Sequence, residues 1–123
     1  MKNSNQEEND LSFPQKIHKI RHLKDFRRII KEGKNFQTPF GNIKLLKNEL
    51  NILRIAISIS KKFNKKSTKR NKLKRIISEK FRLNKHYLKG FDIWIKITTN
   101  YQVEEILKFI DKFIENLKNN SKD

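Results

Sequence analysis

The chain has 123 residues, enough for one compact domain, and its 30 Lys and Arg against 13 Asp and Glu leave a formal net charge of +17. It contains no cysteine, which excludes disulfides, thiolate zinc sites and cysteine nucleophiles, and no apolar run approaches the length of a membrane span. Solubility needs a charge magnitude of only about 2–8 in a small domain, so the excess implies an anionic partner, nucleic acid before an anionic membrane surface.

Residues 1–16 hold little to bury and read as a flexible tail. One domain is expected over residues 17–119, with a short tail at 120–123. The polar amino terminus does not read as a secretory signal, so a cytoplasmic location is expected.

The pattern predicts an amphipathic helix over 22–32, with Leu23, Phe26, Ile29 and Ile30 on one side and Gly33 ending it. Residues 36–46 read as one strand, bent or bulged near Pro39 and Gly41, and residues 47–51 as a turn. Residues 54–60 alternate, with Ile55, Ile57 and Ile59 facing one way and Ala56, Ser58 and Ser60 the other. A helix is expected over about 68–86, with Leu73, Ile76, Ile77 and Phe81 as its packing stripe, and Gly90 then breaks the chain. Residues 91–98 alternate again: Phe91, Ile93, Ile95 and Ile97 share one face, Asp92, Trp94, Lys96 and Thr98 the other. A last helix over 101–118 carries Val103, Ile106, Leu107, Ile110, Ile114 and Leu117, with Thr99 and Gln102 placed for a capping box.

The order helix, strand, strand, helix, strand, helix predicts an α+β two-layer sandwich, a small sheet with helices packed on one face. The strand–helix–strand unit over 54–98 should place its two strands in parallel.

The helix over 68–86 is unusual. Residues 61–82 hold eleven Lys or Arg and a single carboxylate, Glu79. Its first turn carries Lys69, Arg70 and Lys72, where cations oppose the macrodipole by roughly 0.3–1 kcal/mol each. A bound phosphate reverses that sign, because free N–H groups at a helix start already favour anions. One face is therefore read as anchored to the sheet and the other as presented to a polyanion. No arrangement of His18, His22, His86 or the dispersed carboxylates suggests an acid–base pair or a metal site, so neither catalytic nor metal-ligating residues are assigned.

"SISKK" at 58–62, followed by "KRNKLKRIISEKF" at 69–81, resembles the bacterial ribonuclease P protein subunit, and the order of elements agrees over residues 17–118. The matching positions of the basic motif are Arg70, Asn71, Lys72, Lys74 and Arg75, with Lys72 standing where the family has Arg. The resemblance implies a left-handed strand–helix–strand crossover. It also implies a non-catalytic protein subunit of a ribonucleoprotein endoribonuclease, whose RNA, with Mg2+ held mainly by RNA phosphates, cleaves the 5′ leader from precursor tRNA. Ribonuclease P RNA and precursor tRNA are the implied partners; neither a membrane nor DNA is expected. Carried over by position, Lys61, Lys62, Lys69, Arg70, Asn71, Lys72, Lys74 and Arg75 would touch the RNA subunit. Phe26, Ile30, Lys44, Ser58 and Ser60 would line a leader cleft between the sheet and the first helix, with Trp94 as core or platform. The rival readings are a ribosomal or other structural RNA-binding protein and a metal-dependent nuclease acting alone.

Overall fold

The computed structural model describes residues 17–121; the tail expected over 1–16 lies outside them. In chain order the elements are β1 (His18–Lys19), α1 (Leu23–Glu32), β2 (Lys34–Thr38), β3 (Gly41–Lys47), β4 (Arg54–Ile59), α2 (Ser67–Leu83), a 3-10 turn (Lys85–Tyr87), β5 (Phe91–Ile97) and α3 (Val103–Ser121). The sheet runs β1-β4-β5-β3-β2. β4 and β5 are parallel neighbours, as the strand–helix–strand reading requires, and β3 pairs antiparallel with β5.

The α+β class stands, with differences in detail. The region expected to be one bent strand is a hairpin, β2 and β3, closed by the two residues Pro39 and Phe40 between paired Thr38 and Gly41. Gly41 is required there, since a Cβ would lie 1.9 Å from the Lys96 carbonyl oxygen. α2 ends at Leu83, earlier than expected, because Asn84 turns back to donate from Nδ2 to the Lys80 carbonyl at 2.8 Å. α3 begins at Val103, so Gln102 precedes the helix and the expected capping box does not form; α3 also continues to Ser121, past the expected domain end.

The alternation in β4 and β5 sorts the sheet into two faces. Ile43, Ile55, Ile59, Ile93, Ile95 and Ile97 are buried on one of them, with Leu73, Ile77 and Phe81 of α2 and Ile106, Ile110, Ile114 and Leu117 of α3 packed into the same core. Ile76 is only half-buried, at the margin of the α2 stripe. Lys80 Nζ, 2.9 Å from Asp111 Oδ1, ties the two helices together.

Helices were expected on one face only; α1 instead crosses the opposite one. There Phe26 meets Trp94 edge-on at 4.7 Å between ring centroids, and Asp25 approaches Arg54. The reason is a second small apolar patch: Ile20 and Ile29 are buried yet lie outside the main core cluster. A buried polar network underlies this attachment. Arg54 Nε donates to Asp92 Oδ1 at 2.8 Å and Nη2 to Oδ2 at 2.7 Å, while Nη1 donates to Asp25 Oδ2 at 3.4 Å. Asn48 Nδ2 donates to Asp92 Oδ1 at 2.8 Å and fixes the β3–β4 turn to the same carboxylate. The hydrogen bonds to Asp92 raise the Arg54 guanidinium pKa above its ordinary value despite partial burial.

Candidate nucleic-acid interface

Strand register arranges the α1-side face in rows. The innermost row is Leu46, Asp92, Arg54 and His18, next to the Asp25 anchor of α1. Next come Asn35, Lys44, Trp94 and Ala56, then Gln37, Asn42, Lys96 and Ser58. Rows along a strand are separated by two residues, about 6.6 Å, comparable to the reach of a single nucleotide.

Trp94 is the centre of this platform. Its Nε1 donates to Ser58 Oγ at 3.0 Å, Lys96 Nζ stands 4.6 Å from its ring centroid, and Phe26 closes it from above. Lys44 is its direct cross-strand neighbour. Ile30 lies one turn beyond Phe26 on the same side of α1 and is 57% exposed. A half-covered aromatic flanked by two lysines suits the stacking of an unpaired base beside its phosphates. At the rim, Asn42 Nδ2 donates to Asn35 Oδ1 at 2.6 Å and Asn35 Nδ2 to Gln37 Oε1 at 3.0 Å.

The second surface is α2. Buried Phe63 pins the connector from β4, Ser60 Oγ accepts from the Lys62 N–H at 3.1 Å, and Asn64 Oδ1 accepts from the Lys66 N–H at 2.9 Å. The first turn of α2 contains no acidic residue, and its N-cap, Lys66, makes no side-chain capping bond. Lys61, Lys62, Lys69, Asn71, Lys72 and Arg75 are exposed. Farther along, hydrogen bonds from Arg82 hold the Glu79 carboxyl below its ordinary pKa, so this acid is engaged within its own helix.

The structure does not treat the expected site residues alike. Arg70 turns inward: its Nη1 donates to the Asn64 and Lys65 carbonyls at 2.8 and 2.9 Å, so it fastens the connector to α2. Ser60 spends its acceptor on the Lys62 turn. Lys74 is half-buried and lines one notch with Phe26 and Ser58, although sequence position had placed it with the outward basic motif. Of the two roles open to Trp94 from sequence, core or platform, its contacts with Phe26, Ser58 and Lys96 favour the platform, and Lys96 and the Asn35–Gln37–Asn42 cluster extend that platform beyond the residues assigned from sequence. The strand alternation over 91–98 was the available signal for Lys96; the amide cluster needs the hairpin register. Among the described residues no three His, Cys, Asp or Glu side chains come together as a metal site, and no helix is long and apolar enough to cross a membrane.

The ribonuclease P family model matches residues 13–118. The ribonuclease P protein component of Clostridium botulinum strain 657 is 38% identical over 104 residues, covering 83% of this chain and 92% of that protein. That of Thermotoga maritima is 36% identical over 105 residues, covering 81% and 89%. Among solved structures, the Thermotoga maritima RNase P protein superposes with a TM-score of 0.65 at 35% identity, covering 83% of this chain and 96% of that one. The Staphylococcus aureus RNase P protein gives 0.64 at 30% identity, covering 80% and 95%.

Proposed function

The chain belongs to the ribonuclease P protein family, the protein component of the ribonucleoprotein that matures tRNA 5′ ends, and we propose how its two surfaces divide that work. The exposed side of α2 with the connector docks on the ribonuclease P RNA through Lys61, Lys62, Lys69, Asn71, Lys72 and Arg75. Arg70 serves this surface by holding the connector in place. The platform beneath α1 carries the 5′ leader of precursor tRNA: Phe26, Ile30 and Trp94 receive bases, Lys44 and Lys96 draw in phosphates, and the Ser58 hydroxyl orients the indole.

The observation that carries this reading is that the two surfaces are built on one rigid sheet. α2 is anchored to one face through Leu73, Ile77 and Phe81, and the Trp94 platform occupies the other. A protein so built fixes the distance between catalytic RNA and leader, which favours a productive substrate position. Its positive charge also screens repulsion between two RNAs. Magnesium, on this reading, belongs to the RNA and supplies the hydrolytic chemistry there. The chain binds, positions and neutralises.

The test is reconstitution: purified protein, ribonuclease P RNA and precursor tRNA, combined in all pairings at low magnesium. Mature 5′ ends are expected only with both components. Cleavage by the protein alone would overturn the non-catalytic role, and an RNA reaction indifferent to the protein would overturn the positioning role. Trp94 is the only tryptophan, so its fluorescence reports on the platform directly. Precursor with a leader should quench it, and mature tRNA should not.

A further inference from the structure

The hairpin side of the sheet ends at β2, whose outer edge faces no strand among the described residues. Lys34, Asn35, Phe36 and Gln37 are exposed along it and Thr38 is half-buried. The direction of its backbone groups follows from its neighbours. The Asn48 N–H donates to the Gly90 carbonyl, on the β5 side of β3, at 2.8 Å. Alternation then turns Lys44 and Leu46 toward β5, and Ile43 and Leu45 toward β2. Ile43 is paired with Phe36 and Leu45 with Lys34, so Phe36 and Lys34 bond inward. Asn35 and Gln37 therefore aim their N–H and C=O groups outward, away from β3. Edges of this kind are ordinarily blunted by charge, proline or a bulge. Within β2 only Lys34 is charged, and Pro39 lies past its end. Phe36, 36% exposed, meets Phe113 of α3 edge-on at 5.5 Å between ring centroids, so α3 lies over this half of the sheet.

We propose that this edge is a contact between two copies of the chain, in which β2 pairs antiparallel with β2 of a second copy about a twofold axis through Phe36. In that register Asn35 of each copy lies opposite Gln37 of the other, so every outward backbone group of both residues finds a partner. Any slipped register leaves some of them unpaired. Phe36 lies opposite its own copy, and each half-exposed ring gains an apolar neighbour on the α3 side. Lys34 lies opposite Thr38, so no like charges are opposed across the strands. The obstacle is the charge of +17 on each copy, and the fold places that charge unevenly. α2 carries seven Lys and Arg against one carboxylate and packs beside β4, on the other half of the sheet. α3, beside β2, carries four carboxylates against three lysines. A β2–β2 contact thus brings the two near-neutral sides together and holds the basic helices at the outer ends. Five residues span about 17 Å, so the contact is small and the dimer reversible. It joins two five-stranded sheets into one and sets the two amide rims side by side, with Asn35 and Gln37 of the second copy extending the face that the first presents. The pairing uses backbone groups and holds whether or not that face carries the leader.

The chain has no cysteine, so a single introduced thiol reports the contact. A residue on the axis, in a pair that exchanges no backbone bonds, meets its copy at about 4.5 Å between Cα atoms, within the roughly 4.4–6.8 Å that a disulfide accepts. Phe36→Cys in the full chain should oxidise to a covalent dimer at least about tenfold faster than Leu50→Cys, placed on the exposed β3–β4 turn. The unsubstituted chain gives a second measurement. Its dimer fraction in sedimentation should rise as salt goes from about 0.1 M to about 1 M and the Debye length shortens from about 10 Å to about 3 Å, the reverse of RNA binding. Amide exchange at Asn35 and Gln37 should slow as protein concentration increases. Equal oxidation rates in the two folded variants would overturn the contact, and so would exchange at those amides indifferent to concentration. If the same amides were protected at every concentration, another segment of the chain would cover the edge, which overturns it too. With ribonuclease P RNA bound, the Phe36→Cys dimer should still form; its loss would assign the edge to the RNA interface and refute the pairing.

Discussion

Replacing Arg54 by Ala tests whether the polar network beneath α1 holds the fold together. The Asp92 carboxylate is 4% exposed at its side chain and the Arg54 guanidinium 17%. Arg54 provides two of the three hydrogen bonds to Asp92, leaving only the 2.8 Å bond from Asn48 when it is removed. A buried charge stripped of its partner costs about 3–5 kcal/mol, a large part of the 5–15 kcal/mol that stabilises an ordinary domain. The Arg28–Glu32 pair is the contrast: 3.9 Å apart, with both side chains about half exposed, it is worth about 0–1 kcal/mol. Because the chain carries +17, losing any cation relieves some repulsion, and Arg28→Ala controls for that. Urea unfolding monitored by circular dichroism should show Arg54→Ala destabilised by about 3–5 kcal/mol and Arg28→Ala by under about 1 kcal/mol. Adding Asp92→Asn to Arg54→Ala should recover part of the loss, since a neutral amide is cheaper to leave half-satisfied. Equal stability of the two arginine variants would refute the reasoning, because the Asp92 charge would then have to be accommodated by solvent.

Phe81→Ala empties a site with 0% exposure between α2 and the sheet and should lower stability by about 3–5 kcal/mol in the same assay. Gly41→Ala forces a Cβ against the Lys96 carbonyl at 1.9 Å; a loss of about 1–3 kcal/mol is expected, with faster amide exchange across the β2–β3 hairpin. Arg70→Ala removes two bonds to the connector, so amide exchange over residues 64–66 should quicken and RNA-subunit binding weaken. In Lys72→Ala the connector should keep its protection, while the salt slope of RNA-subunit binding falls by about 0.7–0.9. Unaltered exchange in Arg70→Ala would return that guanidinium to direct RNA contact.

Local pattern was enough to read the α+β class, the parallel β4–β5 unit, the apolar faces and the cationic character of α2. Each of these depends on the periodicity of side chains along one element, and periodicity is written in the chain. Ile93, Ile95 and Ile97 could face only one way, and Trp94 and Lys96 therefore the other. Tertiary structure decided what depends on distant backbone. Pro39 and Gly41 marked a break, but only pairing of Thr38 with Gly41 makes it a hairpin. β1 has two residues, too few for any pattern, and it leaves the β4 edge open where it stops. The Arg54–Asp92 pair spans 38 positions, and α1 found its own face of the sheet through Ile20 and Ile29. Arg70 and Lys74 show the limit most plainly. Both read as members of one basic motif, yet Arg70 bonds the carbonyls of its own connector and Lys74 is half-buried, lining a notch with Phe26 and Ser58. Charge is a property of the residue, whereas the direction in which a long side chain spends it is set by whatever acceptors the fold brings within reach.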